Sequence, residues 1–377
     1  MLSNVEFNRR TLLSLAAVAT VRSLFPASAL QAAEVDWLAD VQRPPTRFEL
    51  PDPPLTPLLV SADGSPITTR EAWLVRRAQI LKDWLDFLGP MPKRPPVKLE
   101  VLKEDRDTGC LRQLVRYECE PGQFVEGYLL RPPANAPGID ARGLRAGIVA
   151  QHGTSTANIT EIAGLGGPEY RHVGLRLAKL GFVVFCPRCF LWQDVKNYKE
   201  AVANFKHRHP KTLGMHKMLY DAQRGVDVLT SLPDEVDPQR LGTCGHSLGA
   251  KETLYLMAFD ERVRAGVFSE GGIGLKSTNW NAPWYLGTSI NAPGFRLNHH
   301  ELLALIAPRA FLVLAGESGR GSADGDRSWP YLAAALPVYR LYTPTARLGL
   351  FNHHQGHSLP EEAQTHLQQW LQTYLGE

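Results

Sequence analysis

From about residue 145 to the end of this 377-residue chain, apolar strand-like runs alternate with helical segments, and that alternation constrains the fold more than any other feature. "AGIVAQHG" reads as a buried strand, "PEYRHVGLRLAKLG" as a helix, "FVVFCP" as a strand and "MHKMLYDAQRGVDVLTSLP" as a helix. Strand "RLGTCGHS", helix "LGAKETLYLMAF" and strand "VRAGVFSEGG" come next. After an aromatic-rich insertion follow strand "RAFLVLAG", a helix from about Trp329, strand "ARLGLFN" and a closing helix "EEAQTHLQQWLQTYL". Such a pattern predicts an α/β fold, a mostly parallel sheet covered by helices on both faces, with chemistry at the carboxyl ends of the strands. Three earlier runs, "VKLEVLKED", "LRQLVRYEC" and "FVEGYLLRP", are separated by turn-formers and fit antiparallel strands at one edge.

Ahead of the strands, residues 34–66 are proline-rich and read as an extended arm. "TTREAWLVRRAQILKDWLDFLG" then reads as a helix, with Thr68 and Glu71 in a capping-box pattern and Gly89-Pro90 as its stop. Trp73, Arg77, Ile80, Leu81, Trp84, Leu85 and Leu88 share one face of it, Arg77 being its one polar member, with the tryptophans as core anchors. The division expected is therefore residues 1–33 as an export signal, 34–96 as an arm and helix packed on the core, and 97–377 as the catalytic domain. The export reading rests on Asn8, Arg9 and Arg10 before the apolar run Thr11 to Val21, followed by small residues with Ala27-Ser28-Ala29 as a cleavage site. "NRRTLL" resembles a twin-arginine signal, which implies a bacterial periplasmic or extracellular location. The apolar run is too short to span a bilayer, so no permanent membrane span is expected.

The formal charge is +3, and residues 1–33 hold Arg9, Arg10 and Arg22 against Glu6, so the remainder is close to neutral. Nothing in that balance points to a nucleic-acid partner. Among the five cysteines, Cys186-Pro-Arg-Cys189 has the spacing of a redox pair, but no second such pair completes a zinc site. Unpaired packing thiols, a structural bridge and a reactive pair all remain open for it. No phosphate loop or metal-ligand cluster is present, so neither cofactor nor metal is expected.

"CGHSLGA" carries the chemistry. Its G-x-S-x-G, Gly245 to Gly249, falls where a strand hands over to a helix, the setting in which a serine is held on a strained turn and exposed as a nucleophile. Ser247 is that candidate; a serine merely capping a helix is the bland reading. A serine needs a base, and "FNHHQGHSLPEEAQ" offers His353, His354 and His357. His357 is chosen because "GHSLP" lies between the last strand and the last helix. The orienting acid is expected in "ESGRGSADGDRSWP", with Asp324 first and Asp326 second; Glu270, at the end of the strand after the elbow helix, is the third candidate. An oxyanion hole would use the backbone N–H groups of Leu248 and of Thr154, with His152 propping the Thr154 loop.

Taken together, "QHGT", "GHSLGA", "FSEGG", "SADGDRSW" and "NHHQGH" make residues 97–377 similar to the α/β-hydrolases, in particular to the dienelactone hydrolase and acetyl xylan esterase group and to prolyl-oligopeptidase-type catalytic domains. The resemblance implies hydrolysis of esters, commonly on acylated sugars, and peptides in the larger relatives. The long acid loop with Gly319 and Gly321 departs from the usual pattern and leaves the choice of carboxylate open. Trp280, Trp284 and Tyr285, in the insertion between Gly271 and His300, are expected to wall the substrate pocket, with Trp192 beside them. The reading is an exported carbohydrate esterase acting on a small-molecule or polysaccharide ester. A peptidase, an acyltransferase and an inactive binding protein are the alternatives, and the oligomeric state is left open.

Overall fold

The computed structural model describes residues 33–51, 53–319 and 321–376. The expected export signal lies outside these residues except for Ala33. Within them the compact unit begins at Glu34.

Nine strands form one sheet: β1 (Glu100–Asp105), β2 (Leu111–Glu120), β3 (Gln123–Arg131), β4 (Arg145–Gln151), β5 (Val183–Pro187), β6 (Val236–His246), β7 (Val263–Ser269), β8 (Ala310–Ala315) and β9 (Leu348–Asn352). Their spatial order is β1-β2-β3-β5-β4-β6-β7-β8-β9. The three leading strands are antiparallel and sit at one edge; from β5 to β9 every neighbour is parallel. Every residue of β4, β5 and β8 is buried, as strands covered on both faces require. The chain leaves β4 toward β5 and later returns to the other side of β4 with β6. A crevice therefore opens between the carboxyl ends of β4 and β6, the topological switch point where doubly wound sheets bind ligands.

Nine α-helices are described: α1 (Arg70–Leu88), α2 (Asn158–Ile162), α3 (Val173–Lys179), α4 (Tyr198–Arg208), α5 (Gly214–Thr230), α6 (Leu248–Phe259), α7 (His299–Ile306), α8 (Trp329–Arg340) and α9 (Glu361–Leu375). Side chains alternate along the strands between two cores. Val149 joins α1 and α4 to α8, whereas Ile148 joins the arm, α2, α3 and α9. The cap of α1 is Thr69 rather than the expected Thr68, since its Oγ1 accepts the Ala72 N–H at 3.2 Å. Trp73, Ile80, Trp84 and Leu88 are buried as expected, but Leu85 turns to the outside. The start of the arm is held on α9 and β9: Trp37 stacks on Trp370, and Glu34 takes Arg347 and the Tyr374 hydroxyl.

All five cysteines are unpaired and buried. Cys186 lies in one core and Cys189 in the other, so the sheet separates the two thiols that the spacing suggested as a pair. Among the described residues no helix is long and apolar enough to cross a membrane, and no cluster of acidic, histidine and cysteine side chains could hold a metal ion.

Candidate active site

Ser247 stands between the end of β6 and the start of α6 with φ 60° and ψ −115°, a left-handed conformation that costs a non-glycine residue about 1–3 kcal/mol. Its side chain makes no capping bond to the helix, so the bland reading of a helix cap does not describe it. The turn persists because its surroundings hold it. The Ser247 N–H donates to the Ser269 carbonyl at 2.8 Å, and the two flanking glycines permit contacts that no other residue would. A Cβ on Gly245 would lie 2.3 Å from the Gly249 carbonyl, and one on Gly249 would lie 2.4 Å from the Gln151 carbonyl oxygen. Leu248 is the first residue of α6, and the N–H groups of a first helical turn have no intrahelical partner.

Ser247, Thr154 and His357 line one cavity of about 210 Å³. Its remaining wall comes from the β4 exit, from α2 and the segment after it (Glu161, Ile162, Tyr170, Arg171, Val173), and from Leu359 and Leu367. His152 lies beneath the β4 exit. Its Nδ1–H meets the Gly153 carbonyl at 2.8 Å and its Nε2 accepts the Cys189 N–H at 3.1 Å, which fixes the tautomer. Burial holds this imidazole down at about 4, so it is a neutral prop for the loop that carries Thr154. His246, inside the motif, bonds the Ser269 hydroxyl at 3.0 Å, and its ring centroid lies 4.7 Å from that of His357. Burial, and then the neighbouring His357 and Arg171, lower it to about 3.

The carboxylate that meets His357 is Glu270, with His357 Nδ1 at 3.3 Å from Glu270 Oε2. Asp324, the first choice from sequence, does not reach the histidine. It accepts the Gly272 and Ile273 N–H groups, each at 2.8 Å, and the Ser328 hydroxyl at 2.6 Å. Asp326 accepts from the Asn352 side chain at 2.9 Å and opens a short 3₁₀ turn. The correction has a backbone cause. Glu270 has φ 56°, a turn that directs its carboxylate to the β8 exit, where it accepts the Gly316 N–H and, at 3.0 Å, the Ala323 N–H. Burial raises the Glu270 carboxyl above its ordinary value, while His357 and these amides pull it back. His353 is buried and accepts the Gln355 N–H; His354 pairs with Glu317 at 2.6 Å.

The aromatic insertion is also corrected. Trp280 and Tyr285 are core residues, and neither they nor Trp284 line the cavity that holds Ser247. Trp280 donates to the Gly272 carbonyl at 2.7 Å and covers Lys251, whose ammonium lies 3.8 Å from its ring centroid. Trp284 contacts Tyr198, which contacts Trp192, which contacts His152, so this row meets the cavity only through the His152 ring. Sequence reasoning overlooked Glu161, Tyr170 and Arg171, which lie in a stretch with no motif to announce them.

This fold, with a serine elbow after the strand beside β4 and a histidine after the last strand, is that of the α/β-hydrolases. Residues 156–284 match the Dienelactone hydrolase family. The chain is 25% identical over 314 residues to "Putative hydrolase YtaP" of Bacillus subtilis (strain 168), which covers 78% of this chain and 100% of that protein. Among solved structures it resembles a glucuronoyl esterase from Solibacter usitatus, with a TM-score of 0.69 at 18% identity over 87% of this chain and 99% of that one. A CE15 glucuronoyl esterase from Teredinibacter turnerae T7901 gives 0.63 at 21% identity over 84% and 88%.

Proposed function

We propose that the protein is an exported serine esterase that cleaves carboxylic esters of carbohydrates, with Ser247 as nucleophile, His357 as base and Glu270 as the orienting acid. The observation that carries this reading is the Glu270–His357 contact at 3.3 Å beside a cavity shared with the strained Ser247. In the reaction His357 takes the Ser247 proton as Oγ bonds to the ester carbon, and the carbonyl electron pair moves onto oxygen. The Leu248 and Thr154 N–H groups stabilise that oxyanion. Collapse breaks the bond to the alcohol, which leaves with the proton from His357. Water, giving its proton to His357, then attacks the acyl-enzyme; the acid departs and Ser247 regains its proton.

Support for a carbohydrate ester comes from the glucuronoyl esterases that share the fold, and support for export from the arginine pair and apolar run at the N-terminus. The test is hydrolysis of p-nitrophenyl acetate, acetylated xylan and methyl glucuronate by the full-length chain and by Ser247→Ala. Loss of a wild-type activity on the order of 10⁴-fold or more in the variant supports the reading. Wild-type protein inert on all three esters, or a variant as active as wild type, overturns it.

A further inference from the structure

We infer that Glu161, Tyr170 and Arg171 form a subsite for a hydroxylated sugar ring in the cavity beside Ser247. The inference rests on the esterase reading for its link to turnover. Its physical basis is a buried carboxylate with little to hold it. Glu161 is 6% exposed, yet among the described residues its carboxylate has a single partner, the Arg171 guanidinium, at 3.3 and 3.4 Å. An ionised carboxylate can accept about four hydrogen bonds, and a buried one costs free energy when they are unmade. Arg171 reaches Glu161 through one nitrogen of its fork, which makes both of these long contacts, and the side chain is 42% exposed. Tyr170, 39% exposed, stands at the same wall with the guanidinium 5.4 Å from its ring centroid. All three side chains line the cavity that contains Ser247.

A pyranose ring complements this set. Adjacent hydroxyls donate to one carboxylate, a hydroxyl or ring oxygen accepts from a guanidinium, and the C–H face of the ring lies on an aromatic or apolar surface. Tyr170 offers such a surface at the mouth, and Ile162, Val173 and Leu359 offer one within. At about 210 Å³ the cavity is below the 300–1,000 Å³ of drug-sized sites, so it takes one ring rather than a chain segment. The ring could enter as the alcohol of an acetylated sugar or as the acyl part of a uronoyl ester. The chemistry that recognises it is the same, and the substrates used in the test tell the two apart.

The experiment compares kcat/KM on acetylated xylo-oligosaccharide and on methyl glucuronate, each divided by kcat/KM on p-nitrophenyl acetate, in wild type, Glu161→Gln, Tyr170→Ala and Arg171→Gln. A ratio that falls at least about tenfold through KM in the variants, for either sugar ester, is the expected result, and the ester affected identifies which part of the substrate carries the ring. Ratios within about twofold of wild type in all three variants overturn the subsite while leaving the esterase intact. If the wild type hydrolyses no ester, the esterase reading fails on its own, and the subsite is decided by calorimetric titration of xylobiose and methyl glucuronate into wild type and Tyr170→Ala. Binding that the substitution weakens at least about tenfold sustains it, and no wild-type binding ends it. Tyr170 is exposed enough to be changed without disturbing the core, whereas Arg171→Gln takes from Glu161 its one partner, so Tyr170→Ala keeps the result readable should the other two variants misfold.

Discussion

Glu270 is a glutamate in a left-handed turn, and the turn is what places its carboxylate between the His357 ring and two backbone amides. On the proposed mechanism, Glu270→Gln keeps the shape but puts an amide where the imidazolium is to be stabilised and its tautomer fixed. The expected loss in kcat is on the order of 10³- to 10⁴-fold, the scale set by replacing a triad acid with its amide. Asp326→Asn, which alters only a contact to Asn352, is expected to stay within about threefold of wild type, as surface polar changes do. Steady-state kinetics on p-nitrophenyl acetate separates them, and the opposite ranking would return the acid to the 316–328 loop. That Ser247 and His357 meet at one cavity is legible in the sequence, because each position depends on a short local pattern and on chain order. The acid is not: three carboxylates stand at strand ends, and which one faces the imidazole depends on one φ angle. Nothing in the letters around Glu270 announces that angle.

The exits of β7 and β8 hold each other through an exchange of carboxylates. Glu270 from the first takes Gly316 and Ala323 amides from the second; Asp324 from the second takes Gly272 and Ile273 amides from the first. Lys251 on α6 braces the same turn by donating to the Gly271 carbonyl at 2.6 Å. On the proposed mechanism Asp324 acts through the loop, as a positioning residue. In Asp324→Asn the new NH₂ group opposes a backbone N–H in a buried site, a loss of about 1–3 kcal/mol. The expected outcome is a melting temperature lower by a few degrees, with kcat/KM reduced but above that of Glu270→Gln. An unchanged melting temperature with activity as low as in Glu270→Gln would instead make Asp324 the acid. Elements at this scale were readable where periodicity and stops were strong, as for α9, whose span Glu361–Leu375 coincides with the segment read from sequence. The insertion was misread because tryptophans that cover a buried lysine and tryptophans that wall a pocket share one composition.

Over the whole molecule, α/β alternation was enough to specify the sheet and its two covered faces, but the interior holds polar groups that only tertiary packing defines. Burial pushes several imidazoles down, among them His152 and His300 to about 4 and His246 and His299 to about 3. His299 is fully enclosed, bonding the Ile273 carbonyl at 2.7 Å and the Tyr255 hydroxyl at 3.1 Å between the rings of Trp84 and Trp280. Below pH 6.5 the unfolded chain binds a proton at this residue and the folded chain does not. Its contribution is therefore complete above pH 6.5 and falls as the pH drops toward 3, by up to about 1.4 kcal/mol per unit. Asp221 works the other way, since burial raises it to about 6 and favours the folded state as the pH falls from 6 toward 4. The total pH profile mixes these opposed signs, so the clean observable is a difference between proteins. His299→Gln is expected to be less stable than wild type at pH 7.5, and that gap is expected to narrow by about 2 kcal/mol at pH 5, because the variant has no imidazole left to protonate on unfolding. Urea titrations of both proteins at the two pH values measure it. A gap of the same size at both would mean that His299 takes up its proton without leaving the fold.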